Sequence, residues 1–155
     1  MASVRFQAFA AIEAKLDLVR EGLDWPTLLR DPREPIGEDQ MNALVLGTGG
    51  DDEPDSLTGG VATHRTEFAV GLMVLERAGE SAEVLLDAAF VAVSNALLDP
   101  ADIQLGGLVV DVRRGGMTPA MIGRSEEGAR IIGVQSIDFS FDYWARESDA
   151  EIPGP

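Results

Sequence analysis

Ile131-Ile132-Gly133-Val134-Gln135-Ser136-Ile137-Asp138-Phe139-Ser140-Phe141-Asp142-Tyr143-Trp144 carries the clearest structural pattern in the chain. From Ile137 onward, Ile137, Phe139, Phe141 and Tyr143 alternate with Asp138, Ser140 and Asp142. A period of two is that of a half-buried strand. One face of this strand is apolar and belongs against a core, and the other is acidic.

Working back from it, Leu105-Gly106-Gly107-Leu108 reads as the opening of an apolar strand, Val109-Val110-Asp111-Val112. A Gly-rich connection then leads into the long closing strand. Before this pair, Ser81 is a good N-cap for a helix, with Glu83 in the first turn where the helix dipole favours negative charge. Leu86, Phe90, Val93 and Leu97 form its expected buried stripe, and Asp99-Pro100 ends it. Residues 63–76 read as a second long strand. Phe68, Val70, Leu72 and Val74 lie on its apolar face, and Arg65, Glu67, Ala69, Gly71 and Met73 on the other.

Nearer the N-terminus, Phe9, Ile12, Leu16, Val19 and Leu23 recur at steps of three and four, predicting a helix over residues 4–21 with Gly22 as its stop. Residues 25–35 hold three prolines and four charged residues and read as an irregular connection. Residues 42–48 form a short apolar strand. The Gly- and Asp-rich residues 49–60 read as a flexible acidic loop, and residues 146–155 as a short flexible tail. The order is helix, strand, long strand, helix, strand, long strand. It predicts one α+β domain over residues 1–155, a largely antiparallel or mixed sheet with two helices packed on one face.

Composition narrows the function. With 27 acidic residues against 12 basic ones, the net charge is −15, which argues against a nucleic-acid groove or backbone binder. The absence of cysteine excludes disulfides, thiolate catalysis and Cys-ligated zinc. No apolar run approaches the ~20 residues of a membrane-spanning helix. Glu13, Lys15 and Asp17 break what would be a signal-peptide core, so the expectation is a soluble cytoplasmic chain.

Catalytic motifs fail in turn. Gly47-Thr48-Gly49-Gly50 follows a strand, but the dinucleotide fingerprint needs a glycine where Asp52 stands, and Asp51, Asp52 and Glu53 would repel phosphate. Asp51, Asp52, Glu53 and Asp55 lack the twelve-residue spacing of a calcium loop, so no metal site is expected. His64, the only histidine, has no evident orienting partner and reads as an exposed strand residue. No Gly-x-Ser-x-Gly elbow is present. Asp138 and Asp142 lie on one strand face roughly 13 Å apart, beyond the ~5–9.5 Å of glycosidase carboxylates. The chain therefore reads as a non-enzyme without cofactor.

Several apolar residues fall outside the core pattern: Met73 and Leu75 on the outer face of the second long strand, Trp144 on the acidic face of the last, and Met117, Met121 and Ile122 in a Gly-flanked loop. Such residues are enriched at subunit contacts. A second structural layer over that face would account for them equally.

The order of elements and the C-terminal motifs resemble the tail terminator (minor tail) proteins of long-tailed bacteriophages and prophages. The likeness rests on the second helix leading into Leu97-Leu98-Asp99, on Leu105-Gly106-Gly107-Leu108-Val109, and on the final alternating strand. The first helix, with Phe9-Ala10-Ala11-Ile12 leading to Leu16, also fits. The resemblance implies a non-catalytic α+β subunit in a homohexameric ring on the head-proximal end of the tail tube. There it would end addition of tube protein and present the docking surface for the head connector. DNA would pass through without specific binding. Six copies would carry about −90 charges, an electrostatic lining to which DNA does not adhere. Candidate lumen or rim charges are Asp51, Asp52, Glu53, Asp55, Asp138 and Asp142. Candidate inter-subunit or partner contacts are Met73, Leu75, Met117, Met121, Ile122 and Trp144. The polar face of the last strand would look either at DNA or at the next subunit. A neck or tail-completion protein is the alternative in the same class. An enzyme or ligand-binding domain with a site between the sheet and the acidic loop is the alternative in another.

Overall fold

The computed structural model describes residues 3–51, 55–56, 61–77, 79–124, 130–146 and 149–153, with side chains for 3–50, 61–77, 79–124 and 130–144. Its elements in chain order are α1 (Val4–Leu23), β1 (Thr27–Arg30), β2 (Ala43–Asp51), β3 (Asp55–Ser56), β4 (Val61–Leu75), α2 (Ala82–Leu97), β5 (Val112–Met117), β6 (Met121–Arg124), β7 (Ile131–Arg146) and β8 (Asp149–Pro153). The fold is α+β: one eight-stranded sheet of order β1-β2-β4-β7-β5, with two helices on one face.

The β4–β7 antiparallel ladder is the spine of the sheet, running from Val61↔Arg146 to Leu75↔Ile132 without a break. This register puts Phe68 opposite Phe139, Val70 opposite Ile137 and Thr66 opposite Phe141. All of these are buried, and the alternating pattern of both strands therefore faces one core. Phe9 of α1 enters that core edge-on, with ring centroids 5.8 Å from Phe68 and 5.5 Å from Phe141, the edge-to-face geometry that aromatic quadrupoles favour. α2 packs closely because β7 carries Gly133 beneath it: a Cβ there would lie 3.0 Å from Leu86 and 3.1 Å from Ala82. Alongside Leu86, Val93 and Leu97, α2 also buries Ala82, Leu85 and Ala89, while Phe90 is only half-buried, with Arg114 over its ring.

The caps set the helix ends. Ser3 and Ser81 accept backbone N–H bonds from Phe6 and Val84. α1 runs through Gly22 rather than stopping there, and Asp24 takes the left-handed cap conformation at φ 58°, which Asp tolerates better than most residues. Lys15 joins α1 to the end of α2. Its Nζ donates to the Ala96 carbonyl at 3.3 Å and pairs with Asp102 at 3.1 Å, a cation at a helix C-terminus. The Asp102 carboxyl is held below its ordinary range, first by Lys15 and then by the Gly106 N–H.

Five expectations are corrected. Residues 25–35 are not wholly irregular, because Thr27–Arg30 pairs parallel to β2, with Trp25 buried before it. Leu105-Gly106-Gly107 does not open a strand. It is a 3-10 turn with φ of 50°, 71° and 89°, and the strand begins only at Val112. Nor is the Gly-flanked stretch after Val112 wholly a loop. β5 and β6 both pair antiparallel with β7 along one edge, from Val112↔Phe141 to Arg124↔Ile131, with a bulge between Arg114 and Met117 and a short break at residues 118–120. Periodicity missed it because bulges shift the alternation. The acidic stretch 49–60 is partly sheet: Asp51 ends β2 and Asp55–Ser56 pairs with β4, while Asp52 and Glu53 lie outside the described residues. Asp149–Pro153 of the expected tail pairs with β7. Among the described residues, no helix is long and apolar enough to cross a membrane.

Candidate interaction face

Both helices cover the same face of the sheet, and none of the described elements lies over the other. The residues alternating with the core positions of β2, β4 and β7 therefore form an open surface, organised in cross-strand rows by the register.

At one end Thr63 stands opposite Trp144, whose side chain is 42% exposed. In the next row Arg65 stands opposite Asp142 and binds it with two nitrogens, Nε to Oδ1 at 2.9 Å and Nη2 to Oδ2 at 3.4 Å. Arg113 of β5 donates to the same carboxylate. Burial alone would raise the Asp142 carboxyl, but the hydrogen bond from Arg65 and the charges of Arg113 and Arg65 outweigh it and lower it. The face expected to be acidic is thus a cluster of two guanidiniums around one carboxylate at this level.

One row further, Glu67 stands opposite Ser140, and beyond it Ala69 opposite Asp138. Glu67 and Asp138 are exposed and have no ion pair or hydrogen bond among the described residues. They flank a groove of about 540 Å³ floored by Gly47, Ala69, Gly115 and Gly116. At the far end the face turns apolar: Met73, Val134 and Met121 form one cross-strand row that ends on the fully buried Ala43. Met73 and Val134 are half-buried and Met121 is 72% exposed.

Of the other sequence candidates, Met117 and Ile122 are exposed on the edge strand. Leu75, expected on the outer surface, is 6% exposed, and its N–H is bound by the buried Asn42 side chain at 2.6 Å; it belongs to the fold's interior. Asp51 and Asp55 are placed by backbone only. His64 is half-buried rather than exposed, stacked on Tyr143 with centroids 4.9 Å apart. Among the described residues no group of three or more His, Asp or Glu is placed to hold a metal ion. Sequence reading missed Arg113, Glu67 and the glycine floor. The first two are single charges on a surface that the bulged edge strand assembles, and only register shows them to be neighbours.

No protein-family model and no curated protein matches this chain. Among solved structures, a chain of the virion of a native gene transfer agent particle is similar at 20% identity. The similarity covers 88% of this chain and 93% of that one, with a TM-score of 0.48.

Proposed function

We propose that this protein is a non-enzymatic structural subunit of a phage-like virion, a tail terminator. It assembles as a hexameric ring on the head-proximal end of the tail tube, ends tube growth and receives the head connector. The observation that carries this reading is the sheet face over which no described element lies. A single sheet with helices on one side leaves its other side as an apolar row beside charged rows, and such contiguous surfaces mark protein contacts. The sequence resemblance supplies the identity of the assembly, and the chain's element order and α+β sheet are compatible with it.

In this reading the apolar row with Met73 and Met121, together with Met117, Ile122 and Trp144, meets neighbouring subunits or the tube. The acidic segment with Asp51, Asp52, Glu53 and Asp55 lies at the rim or lumen. Closed head-to-tail contacts make a ring without a cleft or catalytic group, and a net charge of −15 per subunit keeps passing DNA from adhering. The ring would be assembled in the host cytoplasm and reside at the neck of the tail.

The test is electron microscopy of purified protein mixed with tail tubes, alongside mass photometry over a range of concentrations. Six-fold rings on one end of each tube are expected. Rings that bind head connectors but never tubes would reassign the protein to the neck. A strict monomer that never caps a tube would overturn the reading.

A further inference from the structure

Three glycines floor the groove on the open face: Gly47 within β2, and Gly115 and Gly116 at the bulge of β5 opposite Asp138. None of Gly47, Gly115 and Gly116 has positive φ, and an added Cβ would meet only ordinary contacts: the Ala69 carbonyl at 3.8 Å, Asp138 at 3.5 Å and the Asp138 carboxylate at 3.9 Å. Gly49 differs, since a Cβ there would lie 2.3 Å from the Glu67 carbonyl. Glycine inside a strand weakens it, and often marks a place where another group approaches the backbone closely. What Gly47, Gly115 and Gly116 share is the groove they keep open.

The groove is also electrostatically unfinished. Glu67 and Asp138 are diagonal neighbours on adjacent strands, roughly 7–8 Å apart, and neither has a cationic partner. One row away Asp142 has two. The cations whose side chains are described are almost all engaged: Lys15, Arg20, Arg30, Arg65, Arg77 and Arg113 in ion pairs, Arg5 and Arg114 over aromatic rings, Arg124 and Arg130 in further contacts. Among the basic side chains described, Arg33 alone has no partner.

Arg33 is exposed within Pro32-Arg33-Glu34-Pro35, just past the β1 edge. The segment is held at its base. The Asp31 carboxylate accepts the Thr48 N–H at 2.8 Å and its hydroxyl at 2.6 Å, and the Asp31 N–H donates to the Leu46 carbonyl at 2.9 Å. Prolines on either side fix φ, so ordering this projection on contact costs little entropy. The groove floor runs from Gly47 and Thr48 of β2, beside the base of this segment, to Gly115 and Gly116 of β5 at the opposite edge of the sheet.

We infer that the groove is a socket for Arg33 of a second copy of this chain, its guanidinium seated between Glu67 and Asp138 over the glycine floor. The inference rests on the ring reading above and names a contact within it. Repeated head-to-tail, a peg-in-groove contact propagates from copy to copy until it closes.

Charge exchange tests this. Arg33→Glu and Asp138→Arg should each weaken self-association at least tenfold by sedimentation or mass photometry, and the double variant should recover most of the loss. Gly116→Val should weaken it without any change of charge. Circular dichroism should show all four folded, since the positions are exposed. Wild-type rings with equally competent single variants would overturn the socket and leave the ring standing. A double variant no better than the sum of its parts would do the same. Arg33→Glu destabilising the isolated subunit would place Arg33 in its own chain's groove, and overturn the inference as well. Wild-type protein that stays monomeric even on tubes would remove both readings.

Discussion

Arg65 and Asp142 face each other directly across the β4–β7 ladder and are joined by two hydrogen bonds, of 2.9 and 3.4 Å. The pair lies on the open face of the sheet, where Arg113 completes a shared carboxylate.

Because the folded Asp142 carboxyl is lowered, its stabilisation is fully present above the unfolded pKa of about 3.9 and disappears as pH falls through the lower folded value. The two guanidiniums are about half exposed, so solvent screening limits the contribution to about 1 kcal/mol. Asp142→Asn should lower the urea midpoint accordingly at pH 7, and the difference from wild type should vanish in strong acid. A difference that persists there would mean packing rather than charge.

Phe9 is fully buried between Phe68 and Phe141 and couples α1 to the spine of the sheet. Phe9→Ala should cost about 3–5 kcal/mol, read as a lowered denaturation midpoint. Phe6→Ala, one turn away at an exposed position, should change it far less.

Gly107 at φ 89° is part of the turn between α2 and the edge strand. Gly107→Ala should destabilise by about 1–2 kcal/mol, because a side chain is strained in that conformation. Were residues 105–108 a strand, the same change would be neutral or stabilising by thermal melt.

Met73→Asp and Met121→Asp place a charge in the apolar row of the open face, on half-buried and exposed positions. They should block ring formation by mass photometry while leaving the subunit folded. Leu75→Asp, two residues along but buried, should unfold the subunit itself. Loss of the fold in Met73→Asp would show that Met73 belongs to the core.

The two long strands, both helices and the core they share were legible in the residues, because alternation in 63–76 and 137–143 and the three-and-four spacing of Phe9, Ile12 and Leu16 directly record which side chains leave water. The Ser81 cap was legible for a similar local reason. The edge strands Val112–Met117 and Met121–Arg124 were not, since Gly115-Gly116 and Pro119 interrupt their alternation and only their register with β7 reveals them. The turn at Gly106-Gly107 was hidden by the apolar residues around it, since Leu105 and Val109 are buried without being in a strand. β1 was masked by the prolines beside it.

The class of fold and its apolar core can thus be read from the residues alone, because burial leaves a periodic trace along the chain. The surface takes its character only from the pairing of distant strands. Asp142 looked like one of a row of acids, and pairing brought Arg65 and Arg113 to it from positions 77 and 29 residues away. The same pairing left Glu67 and Asp138 uncompensated over a glycine floor. Charge neutralisation depends on distance in space, which no periodicity along a chain encodes.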